Sequence, residues 1–233
     1  MSTPYIFPAP EQASVPVRGS SARYAVSRIF CVGRNYAAHA REMGGDPNRE
    51  PPFYFTKPAN ALVESGATIP YPPGTKNYHY EMELVIAIGA PVFRIKPEEA
   101  TAAIWGYGAG LDMTRRDLQA ESKAAGRPWD TAKGFEQSAV ITDLIPAEHA
   151  GDLSKGAITL EVNGVEKQRG DLSDMIWSVA EIVANLSQYY HLGPGDLIYT
   201  GTPEGVGPVK PGDEITGQIE GLTNLSLTIG APE

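Results

Sequence analysis

Tyr80-Glu81-Met82-Glu83-Leu84-Val85-Ile86-Ala87-Ile88 alternates at first and then turns uniformly apolar, the pattern of a strand entering a core. Side chains two apart on a strand face the same way, so Glu81 and Glu83 converge where this element begins. Carboxylates that close raise each other's pKa and cost stability unless a cation neutralises them. Hard oxygen ligands of this kind suit Mg2+, Mn2+ or Ca2+. The same spacing is common on solvated strand faces, and spacing alone leaves both readings open.

Downstream, Ile104–Leu111 is a second strand, rich in glycine and aromatics, and Asp112 to Ala125 reads as a helix. Asp112 falls near its N-cap, Gly126 after its end and Pro128 beyond. Asp112, Arg116 and Gln119 then share one face, which offers a third carboxylate and two groups for a substrate. An N-cap aspartate paired with Arg116 explains the same spacing. Upstream, Arg28–Val32 and Phe53–Thr56 are short strands, the second stopped by Lys57-Pro58. Asn35 to Met43 is a short helix on which His39 and Glu42 can touch. A carboxylate there can orient an imidazole acting as general base, although a surface His–Glu pair has the same spacing. Gly44-Gly45 and the polar 46–52 stretch suggest a lid over 36–52.

Residues 1–27, with many prolines and serines, read as an extended arm, and 28–233 as one domain. Pro97–Ala103 is a helix; Ala157–Val162 and Val165–Arg169 flank Asn163-Gly164, the strongest hairpin signal in the chain. Ser173 to His191 reads as a long amphipathic helix capped by Ser173 and Gly193. Leu197–Thr200, Glu214–Ile219 and Leu225–Ile229 complete a mixed, mainly β chain with few helices. Lys133 is a candidate cation at a turn, and the amides and hydroxyl of Gly201-Thr202-Pro203 could hold a carboxylate. His79 reads as supporting or structural, Cys31 as a small buried hydrophobe, and His149 and His191 as residues without a role.

A net charge of −9 over 233 residues argues against nucleic-acid or anionic-membrane binding. One cysteine forms no internal disulfide, and the N-terminus lacks the pattern of a signal peptide, so a cytoplasmic protein is expected. No apolar run is long enough to span a bilayer.

In order along the chain, Gly33–Glu42, Pro52–Pro58, Tyr80–Leu84, Gly106–Gln119, Lys133–Phe135 and Pro194–Pro203 resemble the fumarylacetoacetate hydrolase family. The resemblance implies a β-roll with a divalent metal, Mg2+ foremost and Mn2+ or Ca2+ next, on Glu81, Glu83 and Asp112. It implies a water-activating His39–Glu42 dyad on a lid, an active-site Lys133, and substrate contacts from Arg116, Gln119 and Thr202. Arg34 or Arg116 would take a second substrate carboxylate. The sequence departs from many members at Gly110-Leu111-Asp112, where an asparagine commonly precedes the aspartate. The expected activity is hydrolysis of the carbon–carbon bond of an acylpyruvate, with fumarylpyruvate favoured, in aromatic-compound catabolism, by a homodimer. An oxaloacetate-type 2-oxo acid decarboxylase and a non-catalytic metal-stabilised binding protein are the alternatives.

Overall fold

The computed structural model describes residues 5–44 and 50–232. Its strands in chain order are β1 (Ser14–Pro16), β2 (Arg23–Ala25), β3 (Arg28–Gly33), β4 (Phe53–Lys57), β5 (Leu62–Glu64) and β6 (Thr68–Tyr71). Then follow β7 (Tyr78–Tyr80), β8 (Met82–Ile88), β9 (Ile104–Asp112), β10 (Thr114–Arg115), β11 (Ala139–Ile141) and β12 (Ile145–Pro146). The last six are β13 (Ala157–Val162), β14 (Val165–Asp171), β15 (Asp196–Tyr199), β16 (Gly207–Val209), β17 (Glu214–Ile219) and β18 (Leu225–Pro232). The helices are α1 (Ala37–Glu42), α2 (Pro97–Ala100), α3 (Arg116–Ala124), α4 (Asp130–Lys133) and α5 (Val179–Leu186).

A mixed sheet runs β4-β3-β15-β8-β9-β11-β5, with β12 added to β9, and a second runs β14-β13-β17-β18-β6. β10-β7-β16 forms a small third sheet, and β1 pairs with β2. β8 sits at the centre and is buried on both faces, which is why its sequence loses alternation. Met82 and Leu84 pack with Ile158, Leu160 and Ile215 of the second sheet. Further along the strand Ile86 and Ile88 meet Ile182 and Leu186 of α5, while Val85 and Ala87 meet Ile29 and Leu197. Gly110 on β9 permits this crowding: a Cβ there would lie 2.7 Å from both Val85 and Tyr199 side chains.

The hairpin at Asn163-Gly164 forms as read, with φ of 52° and 74° at its two turn residues. Three expectations need correction. The first strand breaks at Glu81, which joins β7 to β8. Asp112 ends strand β9 rather than capping a helix, and α3 begins four residues later at Arg116. The long helix from Ser173 shrinks to α5, capped by Ser178, whose hydroxyl accepts from the Glu181 amide. The apolar spacing before it is real, but Ile176 and Trp177 donate their amides to the backbone and side chain of Asn35, which holds them out of any helix. Within the stretch read as an arm, Val15 and Val26 are buried in the core. Of the stretch read as a lid, residues 45–49 lie outside the described residues.

Candidate active site

The register of β8 against β9 determines which carboxylates meet. Glu83 lies opposite Gly110 and Met82 opposite Leu111, and the Asp112 amide donates to the Glu81 carbonyl at 2.9 Å. Residues opposite one another, and those two further along, share a face, so Glu81, Glu83 and Asp112 project to the same side. All three are buried, and each offers an oxygen within 4.8 Å of the others.

Three cations surround them unevenly. Lys133, closing α4, donates to Glu81 Oε2 at 2.7 Å, Asp112 Oδ2 at 2.6 Å and Thr114 Oγ1 at 2.7 Å. Arg116 donates to Glu81 Oε1 and, at 2.6 Å, to Gln119 Oε1. Lys57, at the end of β4, lies 2.9 Å from Asp112 Oδ1 and donates to the carbonyls of Met113 and Lys133. Burial opposes ionisation of Glu81, but Lys133 and Arg116 outweigh it and hold that carboxyl well below the usual range. Burial likewise disfavours a charged Lys133, and Asp112 and Glu81 reverse the balance and raise its pKa.

Glu83 has no such partner. It accepts the Gly201 amide at 2.7 Å, and among the described residues no cation pairs with it. Burial, then the Asp112 and Glu81 carboxylates, push its pKa well above the usual carboxylate range. Asp112 Oδ1 is also buried without a hydrogen bond. An uncompensated buried carboxylate, beside a buried carboxylate oxygen met only by the Lys57 ammonium, is the environment that a hard divalent cation completes, and the residues fit one.

Beside this cluster, α1 carries His39, buried, with Nδ1 3.2 Å from Glu42 Oε2. Glu42 also accepts the Gly205 amide at 3.1 Å, which ties α1 to the glycine-rich loop. Thr202 in that loop accepts from Gln168, and buried Asn35 donates to the Thr200 carbonyl at 2.8 Å. One cleft is lined by His39, Glu81, Glu83, Lys133, Thr202 and Gln119, together with Arg34 and Arg116. All the side chains offered in the sequence for catalysis, metal or substrate therefore gather here, counting Asp112 through the carboxylate cluster and Glu42 through His39. His79 supports from behind, its Nδ1 3.5 Å from Arg116 Nε; burial, then Arg116, lower its pKa to about 4.

Sequence reasoning missed Lys57 and Thr114, and it read the Gly201 amide as holding a carboxylate without naming Glu83 as that carboxylate. Lys57 ends a short strand before a proline, a position that carries no local mark of burial. Gly201 had a signal in its glycine-rich turn, and its φ of 97° brings the amide onto Glu83.

Such a fold and site define a class: a mainly β protein that gathers three buried carboxylates for a hard cation beside a histidine held by a carboxylate. The chain belongs to the fumarylacetoacetate hydrolase family, whose C-terminal domain profile, Fumarylacetoacetate (FAA) hydrolase C-terminal, matches residues 28–230. It is 56% identical over 188 residues to a fumarylpyruvate hydrolase of a Ralstonia species, an alignment covering 81% of this chain and 97% of the relative. It is 40% identical over 205 residues to an oxaloacetate tautomerase of Escherichia coli, covering 88% and 93% of the two chains. The crystal structure of a Pseudomonas aeruginosa fumarylpyruvate hydrolase, in complex with Mn2+ and pyruvate, superposes with a TM-score of 0.95 at 50% identity. That match covers 98% of this chain and all of the other. Among the described residues no helix is long and apolar enough to cross a membrane.

Proposed function

We propose that this protein is a divalent-metal-dependent hydrolase that cleaves fumarylpyruvate to fumarate and pyruvate. The observation that carries the proposal is His39, hydrogen-bonded to Glu42, lining the same cleft as Glu81, Glu83 and Lys133. A scaffold that only stored a metal would have no need of a base beside it. The likeness to the Ralstonia and Pseudomonas fumarylpyruvate hydrolases supports this substrate.

Glu81, Glu83 and Asp112 would hold the ion, which supplies a Lewis acid for the adjacent carboxylate and keto oxygens of a 2-oxo acid. Mg2+ is the proposed native metal. Glu42 fixes Nδ1 of His39 and favours the imidazolium that forms when His39 takes a proton from water. The hydroxide so generated adds to the distal keto carbon. The bond between that carbon and the pyruvyl methylene then breaks, the electron pair stays on the pyruvyl fragment, and a proton completes pyruvate. Lys133 faces the enolate charge that develops in this step, and losing such a stabiliser costs about 10²–10³ in turnover. Gln119, Thr202 and Arg34 orient the substrate. The expected homodimer and cytoplasmic location, and a lid over 36–52, belong to the same reading.

Tautomerisation of oxaloacetate, the activity named for the Escherichia coli relative, is the second reading. It needs proton transfer but no attacking water. A panel of fumarylpyruvate, acetylpyruvate and oxaloacetate with Mg2+ separates the activities. Release of free acid and pyruvate is the expected outcome; CO2 would mean a decarboxylase, enol–keto exchange alone a tautomerase, and silence a scaffold. His39→Ala is expected to abolish hydrolysis while leaving metal binding intact. Hydrolysis at the wild-type rate by that variant would remove the dyad from the mechanism.

A further inference from the structure

The cleft has a second charged end, where Arg34 is joined by Lys123, a residue that the chemistry above does not use. Its inner residues Glu81, Glu83, Lys133 and Thr202 are all nearly inaccessible to water, whereas Arg34 is half-buried and Lys123 exposed. Burial thus grades from the carboxylate cluster to an open mouth. Lys123 follows Arg116 and Gln119 along one face of α3, about 10 Å further along the helix axis than Arg116. The three residues therefore form a row that leads from the cluster outward.

The cations along this row differ in what they already hold. Arg116 is engaged by Glu81 and Gln119. Arg34 and Lys123 line the same cleft and enter no ion pair among the described residues. Arg34 adopts φ 57°, left-handed backbone that a long side chain occupies only at a cost, and its guanidinium sits over the Phe53 ring at 5.4 Å. Between the two ends stand aromatic walls: Trp129 packs against Phe53 at 5.3 Å and Phe55 at 5.7 Å between ring centroids. Flat apolar walls leading to unpaired cations suit a planar, conjugated chain that ends in a second carboxylate.

The geometry points to Lys123, together with Arg34, as the outer anion subsite that selects diacid over monoacid acylpyruvates. This rests on the acylpyruvate reading above and adds to it the residues that set substrate choice. Arg116, which the sequence offered equally for this carboxylate, is left to position Glu81 and Gln119.

The test compares fumarylpyruvate with its crotonyl counterpart, in which a methyl replaces the outer carboxylate, on wild type, Lys123→Met, Lys123→Arg and Arg34→Met. Lys123→Met should raise KM for the diacid about tenfold, the size of one charge-assisted hydrogen bond at a partly exposed site, with kcat and the monoacid KM unchanged. Lys123→Arg should restore most of the diacid preference, and Arg34→Met should lower it. A calorimetric titration of the same two acids in the His39→Ala background reads the preference without turnover. A chain that hydrolyses neither acid would overturn the hydrolase reading, yet the titration would still decide the subsite. An unchanged diacid-to-monoacid ratio in both Met variants, in kinetics or in binding, would overturn the outer subsite.

Discussion

Replacing Lys57 by methionine probes how the fold sustains the carboxylate cluster. The Lys57 side chain is fully buried and its ammonium lies 2.9 Å from Asp112 Oδ1. It also donates to the carbonyls of Met113, just beyond β9, and Lys133, at the end of α4, so one group fastens both elements to β4. Methionine is one atom shorter and keeps most of the packing; the Met113 carbonyl loses its side-chain donor, while that of Lys133 keeps the Ser138 hydroxyl at 3.1 Å. The loss at Met113 costs about 1–3 kcal/mol. Breaking a buried ion pair costs about 3–5 kcal/mol when the remaining charge is orphaned. Asp112 keeps Lys133 at 2.6 Å, so the charge contribution falls at or below the low end of that range. A total loss of about 3–4 kcal/mol is expected, a large share of the roughly 5–15 kcal/mol that stabilises a typical protein. Urea unfolding of metal-free wild type and variant, followed by circular dichroism, reads the difference as a shift in midpoint at constant slope. A loss below about 1 kcal/mol would refute the view that Lys57 secures this region.

Gly201→Ala should destabilise by about 1–3 kcal/mol through its left-handed backbone. Its new Cβ would also meet Asn35 Cβ at 2.7 Å, so the amide should draw away from Glu83 and weaken metal binding; unchanged thermal stability would contradict this. Ser178→Ala should cost about 1 kcal/mol by removing the α5 N-cap, read from chemical denaturation, and Ser173→Ala should not touch that helix. Burial raises Tyr24 and Tyr80 from 10 to about 12. A raised folded-state pKa contributes stability that is whole below pH 10 and lost as pH climbs through 12, so unfolding free energy should fall across that window. A difference in phenolate absorbance between wild type and Tyr24→Phe or Tyr80→Phe that is already present at pH 10, with the fold intact, would show that hydroxyl to be unburied.

The sequence was most informative where local periodicity and burial agreed. The pairing of Glu81 with Glu83 followed from strand parity, and Asp112 joined them although its helical assignment failed. An antiparallel partner brings Asp112 to the same face by register, and that register is not written in the spacing between 83 and 112. Long-range hydrogen bonding explains the failed helix start: Asn35 takes the amides at 176 and 177, from a position far away in the chain. Lys57 was hidden for the same reason, since its partners arrive from β9 and α4 only after the sheet closes. Charge pairing across a fold leaves no trace in the local pattern of any one segment.

The central claim is that Glu81, Glu83 and Asp112 together hold one hard cation. Equilibrium titration of chelator-stripped protein with Mn2+, followed by electron paramagnetic resonance of the free ion, measures this directly. One Mn2+ should bind per chain, with binding lost in Glu83→Ala and Asp112→Ala and kept in His39→Ala. Undiminished Mn2+ uptake by either carboxylate variant, or none by the wild type, would contradict the account.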